Sequence, residues 1–119
     1  MTYYEITRLR ELALGSAADA SQDTLLNAKG SQSDSQIDDE LYICANRYSK
    51  LQSLPALPLS GSLLTQSIRD AATDRAAGLF FLSRGNKELY EKYVESSGSA
   101  VKAFIIRLES EAEIYSDIA

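Results

Sequence analysis

Residues 62 to 86 read "SLLTQSIRDAATDRAAGLFFLSRGN", and the spacing of their apolar side chains decides the class of fold. Leu64, Ile68, Ala71 with Ala72, Arg75 or Ala76, Leu79 and Leu82 recur every three or four residues. That is the period of a helix and not the strict alternation of a half-buried strand. Ser62 suits an N-cap, and Gly85 suits a left-handed residue just past the last turn. A helix with this stripe needs apolar partners, and the flanking sequence supplies them.

Downstream, a helix opens at Asn86 and carries Leu89, Tyr93, Ala100 or Val101, Phe104, Leu108 and Ala112 on one stripe. The stripe crosses "SSGS" at residues 96–99, where Gly98 costs about 1 kcal/mol relative to Ala. One long closing helix with a weak point near Gly98 is expected. Upstream, residues 54–61 form a connector that holds both prolines, Pro55 and Pro58. Each proline disfavours helix in itself and in the residue before it, so the chain takes an extended path there. Leu54, Leu57 and Leu59 are costly to leave in a solvated loop, and are expected to cap one end of the core.

Before the connector, Ile37, Leu41, Cys44 with Ala45, Tyr48 and Leu51 mark a helix from Asp34 or Ser35. Asp38, Asp39 and Glu40 place negative charge in its first turn, where the helix dipole favours it. The run "GSQSDSQ" is small and polar, so residues 30–34 are expected to be a loop. A short helix over residues 21–29 closes at Gly30 on this reading. At the start of the chain, Thr2 and Glu5 have the spacing of a capping box. Tyr3, Ile6, Leu9 and Leu12 or Ala13 make an apolar stripe, and Gly15 ends the helix. The sum is an all-α fold: a small helical bundle with a long C-terminal helix, one domain over residues 1–119.

Composition narrows the function classes. The 119 residues carry a formal net charge of −5 and no histidine. An acidic chain is poorly suited to gripping nucleic acid through its phosphates or to binding anionic lipid. No stretch approaches the ~20 apolar residues of a membrane helix, and "MTYYEITRLRELALG" lacks the apolar run of a signal peptide. Without histidine the commonest general base and the commonest nitrogen ligand for metals are missing. The single cysteine, Cys44, lies on an apolar stripe and reads as a core residue. Asp70 and Asp74 sit one helical turn apart, but with Arg69 and Arg75 around them they read as a solvated face and not a metal pair. No phosphate loop or nucleophile elbow appears. Neither catalytic chemistry nor a cofactor or metal is expected.

Two features point to partner binding instead. Seven tyrosines against three phenylalanines and no tryptophan are too many for so small a core. Tyr3, Tyr4, Tyr42, Tyr90 and Tyr115 are therefore candidates for a rim or interface, where a phenol offers apolar area with a polar tip. The second feature is the end of the chain. Residues 109–119 form a candidate docking tail that still carries Ile114, Tyr115 and Ile118. Tyr3, Tyr4, Ile114, Tyr115 and Ile118 are the partner-binding residues this reading selects.

The order of elements resembles the head-to-tail connector proteins of tailed bacteriophages, the adaptor ring below the portal. The resemblance rests on "IDDELYICANRY" at 37–48, "LPALPL" at 54–59, "SIRDAATDRAAGLFFLSRGN" at 67–86 and "ELYEKYVESSGSAVKAFIIRLE" at 88–109. It departs from the family pattern at "SSGS". It implies a helical bundle that assembles as a ring, usually twelvefold, on the portal vertex and carries the stopper and tail. Its partners are then the portal protein, the stopper or tail-completion protein and further copies of itself. Residues 109–119 would reach into the portal, and the location would be the virion neck, after assembly in the host cytoplasm. DNA would pass through such a ring without specific binding, which suits an acidic chain. The competing expectation is a small cellular helical bundle that regulates or scaffolds one protein partner without a ring state.

Overall fold

The computed structural model describes residues 2–47 and 57–118, with side chains throughout except at 45–47, 109 and 111–118. Four helices make up the described chain: α1 (Ile6–Leu14), α2 (Asp23–Arg47), α3 (Gln66–Ser83) and α4 (Lys87–Ile118). A 3₁₀ turn at Gly61–Leu63 precedes α3. No strand occurs among the described residues. The fold is an all-α bundle closed by a long C-terminal helix.

At the centre lies α3, and its sequence explains why. From Ala71 to Phe80 every residue but Asp74 is buried. A helix buried on nearly all sides is one surrounded by other elements, and α3 touches α1, α2 and α4. Its side chains are small where α4 comes closest. A methyl group on Gly78 would stand 3.1 Å from Tyr93 Cβ and 3.3 Å from the Tyr90 carbonyl oxygen, so the missing side chain sets the helix spacing. Phe80, Phe81 and Tyr93 close the hairpin end of this seam, with the Phe81 and Tyr93 rings stacked at 6.0 Å.

The α3–α4 reversal is built from capping groups. Gly85 has φ +79°, the conformation that glycine adopts without a Cβ penalty. Gly85 N–H donates to the Leu82 carbonyl, Asn86 N–H donates to the Phe81 carbonyl, and Asn86 Oδ1 accepts from Leu89 N–H. α4 then runs through Gly98 to Ile118 without interruption, 32 residues and about 48 Å. Its inward stripe is Ser97, Val101, Phe104 and Ile105, with Leu108 half-buried.

Several local expectations are corrected. Residues 30–34 are not a loop, and Gly30 does not end a helix: both lie inside α2, which runs unbroken from Asp23 to Arg47. Of the polar side chains that suggested a loop, Ser33, Asp34 and Gln36 have partners across the bundle. Buried Ser33 donates from Oγ to the Ala72 carbonyl at 2.6 Å. Gly30 is there because the Tyr4 ring lies on it, 2.5 Å from where a Cβ would stand. The N-cap of α3 is Thr65 and not Ser62; its Oγ1 accepts from Ile68 N–H. Glu5 is the residue before α1 and no side chain caps that helix, so Thr2 and Glu5 form no capping box. Gly15 does end α1, at φ +79°. In the connector, Leu59 is buried and Leu57 packs against the core, as expected of a capping segment. Leu54 and Pro55 lie outside the described residues.

Candidate functional site

Two polar nodes tie α2 into the bundle, and both involve residues singled out from the sequence. In the first, residues 3–5 lie as a strap against α2 and α3, bent at Tyr3 and Tyr4 and extended at Glu5. Tyr3 N–H and Tyr4 N–H donate to the two oxygens of Asp34, at 3.1 and 3.4 Å. Glu5 N–H donates to Thr73 Oγ1 at 3.0 Å. The Tyr3 hydroxyl donates to Asp38 Oδ1 at 2.5 Å and accepts from Leu59 N–H at 2.6 Å, so one phenol joins the strap, α2 and the connector. The Tyr4 hydroxyl donates to Asn27 Oδ1 at 2.7 Å. Burial raises the Asp34 carboxyl above its ordinary range, against the opposing effect of the two strap N–H groups. Burial and the neighbouring Asp38 also hold the Tyr3 phenol protonated.

This geometry corrects the rim assignment of Tyr3 and Tyr4. They are 1% and 8% exposed, with their hydroxyls satisfied inside the molecule. They anchor the N-terminus and present no surface to a partner. Both residues lie in bends, and each ring finds a place beside α2: the Tyr3 hydroxyl reaches Asp38 and the Tyr4 ring lies on Gly30.

The second node surrounds Arg75, which is 3% exposed. Its Nε donates to Ser97 Oγ at 2.8 Å, Nη1 to Gln36 Oε1 at 3.2 Å and Nη2 to Glu40 Oε1 at 2.6 Å. The Ser97 hydroxyl in turn donates a hydrogen bond to the Val94 carbonyl at 2.9 Å. One guanidinium therefore links α2, α3 and α4. Arg75 does not share a solvated face with Asp70 and Asp74. Gln66 Nε2 donates to Asp70 and to Glu5, while Asp74 is half-buried with its carboxyl raised by burial despite Arg8 nearby. Asp38, Asp39 and Glu40 are not in a first turn, since α2 begins at Asp23, and no helix-dipole role falls to them; Glu40 serves the Arg75 node and Asp38 the Tyr3 hydroxyl. At the far end of the bundle, Arg10 forks onto Asp23 and lowers its carboxyl.

Outside these nodes the surface carries two apolar interruptions on long helices. On α2, Asp39, Tyr42 and Ile43 are exposed, opposite the buried stripe Ser33, Ile37 and Leu41. On α4, Lys102, Ala103, Ile106 and Arg107 are exposed, opposite Val101, Phe104, Ile105 and Leu108. The sequence holds the signal for both. In "LYIC" and "FIIRL" an inward helical stripe accommodates only some of the apolar residues, and Tyr42, Ile43 and Ile106 are what is left over.

Among the described residues no group of three or more His, Cys, Asp or Glu side chains is placed to hold a metal ion, and no helix is long and apolar enough to cross a membrane. Cys44 is partly buried against the core. Tyr90 is half-buried. Ile114, Tyr115 and Ile118 fall within the last turns of α4, and their side chains lie outside the described set. No family model matches the chain, and neither does any curated protein or solved structure.

Proposed function

We propose that the chain is a structural connector that assembles with copies of itself and joins two larger protein bodies, as the head-to-tail adaptors of tailed bacteriophages do. The observation that carries this reading is α4. It runs unbroken for 32 residues, about 48 Å, from Lys87 to Ile118. A helix of that length is a means of reaching a second body, and residues 109–119 are the segment that the resemblance assigns to the portal. The bundle behind it is braced by Arg75 and by the N-terminal strap, which suits a load-bearing spacer. The polar nodes hold their charged groups in hydrogen bonds within the fold and leave them no evident chemical task.

The test is the mass of the purified chain, alone and mixed with the portal protein encoded beside it, by light scattering after gel filtration. A portal-sized complex containing the chain is expected, and deletion of residues 109–119 is expected to abolish it. Failure to co-elute, or co-elution unaffected by that deletion, overturns the reading. In the first case the chain returns to the class of small helical modules that bind a single cellular partner.

A further inference from the structure

Four large apolar side chains are exposed among the described residues: Tyr42 at 59%, Ile43 at 52%, Leu82 at 44% and Ile106 at 44%. Three of the four fall on the two outward stripes. Scattered single apolar residues are ordinary on a protein surface, so their number alone argues little. Their electrostatic setting argues more. On the outward side of α2 the charge beside Tyr42 and Ile43 is that of Asp39, since Asp34, Asp38 and Glu40 are engaged in the inner nodes. Residues 96–108, which hold the α4 stripe, contain Lys102 and Arg107 and no acid. Within a chain of net charge −5, two copies repel on average, and Asp39 against Lys102 and Arg107 makes the meeting of these two faces locally favourable.

Geometry adds a second constraint. Each stripe lies on the side of its helix opposite to that helix's buried residues, so both point away from the shared core and one copy does not close them on each other. We propose that Asp39, Tyr42 and Ile43 of α2 dock against Lys102, Ile106 and Arg107 of α4 in a second copy of this chain. Tyr42, Ile43 and Ile106 form the apolar centre of the contact, and Asp39 faces Lys102 and Arg107 at its edge, the usual arrangement of a dry middle and a charged rim. Two different patches per copy make a head-to-tail contact, which propagates and either closes into a ring or runs on as a filament. The proposal deepens the connector reading, on which it rests for its setting, by locating the self-contact.

The experiment uses the full chain and sedimentation equilibrium over a concentration series. Wild type is expected to exceed the dimer mass as concentration rises toward the order of 1 mM, the range in which weak contacts form. Ile43→Arg and Ile106→Arg are each expected to remain monomeric. A 1:1 mixture of the two is expected to give a dimer and nothing larger, because one intact patch remains on each variant. A wild type that stays monomeric, variants that associate as wild type does, or a mixture that yields no dimer each overturn the proposal. Circular dichroism melting checks that the variants fold. Should either arginine variant fail to fold, Asp39→Lys and Lys102→Glu/Arg107→Glu take their place. Each is expected to weaken association about fivefold, and their combination in one chain to restore it; no restoration overturns the proposal. Association through these stripes without portal binding would sink the connector reading and leave the contact standing. Portal binding with no effect of the stripes on self-association would do the reverse.

Discussion

The α3–α4 hairpin and the middle of α2 are both buried helical structure, yet they are held in opposite ways. Between α3 and α4 the seam is made mostly of alanines, Gly78 and aromatic rings, whose contacts need only shape, with the Arg75–Ser97 hydrogen bond as a polar contact among them. Along residues 33–40 of α2, the anchoring groups are Ser33, Asp34, Gln36, Asp38 and Glu40, each joined to a partner far away in sequence. Shape tolerates small errors with graded cost, whereas a buried polar bond that loses one partner leaves the other unsatisfied. The α2 side of the molecule is therefore the more brittle.

The sharpest way to break this contrast is at Arg75. Arg75→Ala is expected to destabilise the fold by about 3 kcal/mol in urea unfolding, since it empties a buried site and strands Gln36, Glu40 and Ser97. Arg75→Met with Glu40→Leu removes both charges and is expected to return to within about 1 kcal/mol of wild type. Equal losses in the single and double variants would show that the node acts through packing alone.

A smaller effect is expected at the strap. Tyr3→Phe keeps the ring but orphans the Leu59 N–H and one oxygen of Asp38, at a cost of about 2 kcal/mol. A melting temperature unchanged from wild type would mean that water replaces the phenol. One substitution then separates the two kinds of helix contact. Gly30→Ala drives a methyl into the Tyr4 ring and is expected to lose about 1 kcal/mol, net of the gain in helix propensity. Gly98→Ala meets nothing within 4 Å and is expected to gain about 0.5 to 1 kcal/mol. The same sign at both positions would refute the close approach at Gly30.

The least expected change is in pH dependence. Asp34 has a folded value raised above its ordinary 3.8, so between those two values the folded state binds the extra proton. Its contribution thus improves as pH falls through the raised value and is fully gained below the ordinary one, the reverse of a salt-bridged carboxylate. Relative to Asp34→Asn, wild type is expected to gain stability on acidification from neutrality. A relative loss would mean that the two strap N–H bonds outweigh burial.

How much of this was legible in the sequence follows the same division. The α3 stripe from Leu64 to Leu79, the α4 positions Val101 and Phe104, the Gly85 stop, the Asn86 start and the capping role of Leu57 and Leu59 are local, and periodicity with turn chemistry finds them; Leu82, read as the last member of the α3 stripe, is 44% exposed beside the Gly85 turn. Residues 30–34 were not legible as helix because the reasons for it are Ala72, Tyr3 and Tyr4. Propensity knows nothing of partners 30 or 40 positions away. Tyr3 and Tyr4 were misplaced for the related reason that a tyrosine count does not reveal which hydroxyls find acceptors inside. Of the candidate surface residues, Tyr42 was anticipated from that count, while Ile43 and Ile106 emerge only once the inward faces of α2 and α4 are known.

The strap also fixes an order of events. Tyr3 waits for Leu59, 56 positions later, and Glu5 waits for Thr73, 68 positions later. Contacts that close such long loops form after local helices and hairpins have reduced the chain's freedom. The strap is thus expected to seat after the helices, and protection of the Leu59 amide from hydrogen exchange becomes a one-proton signal of that step.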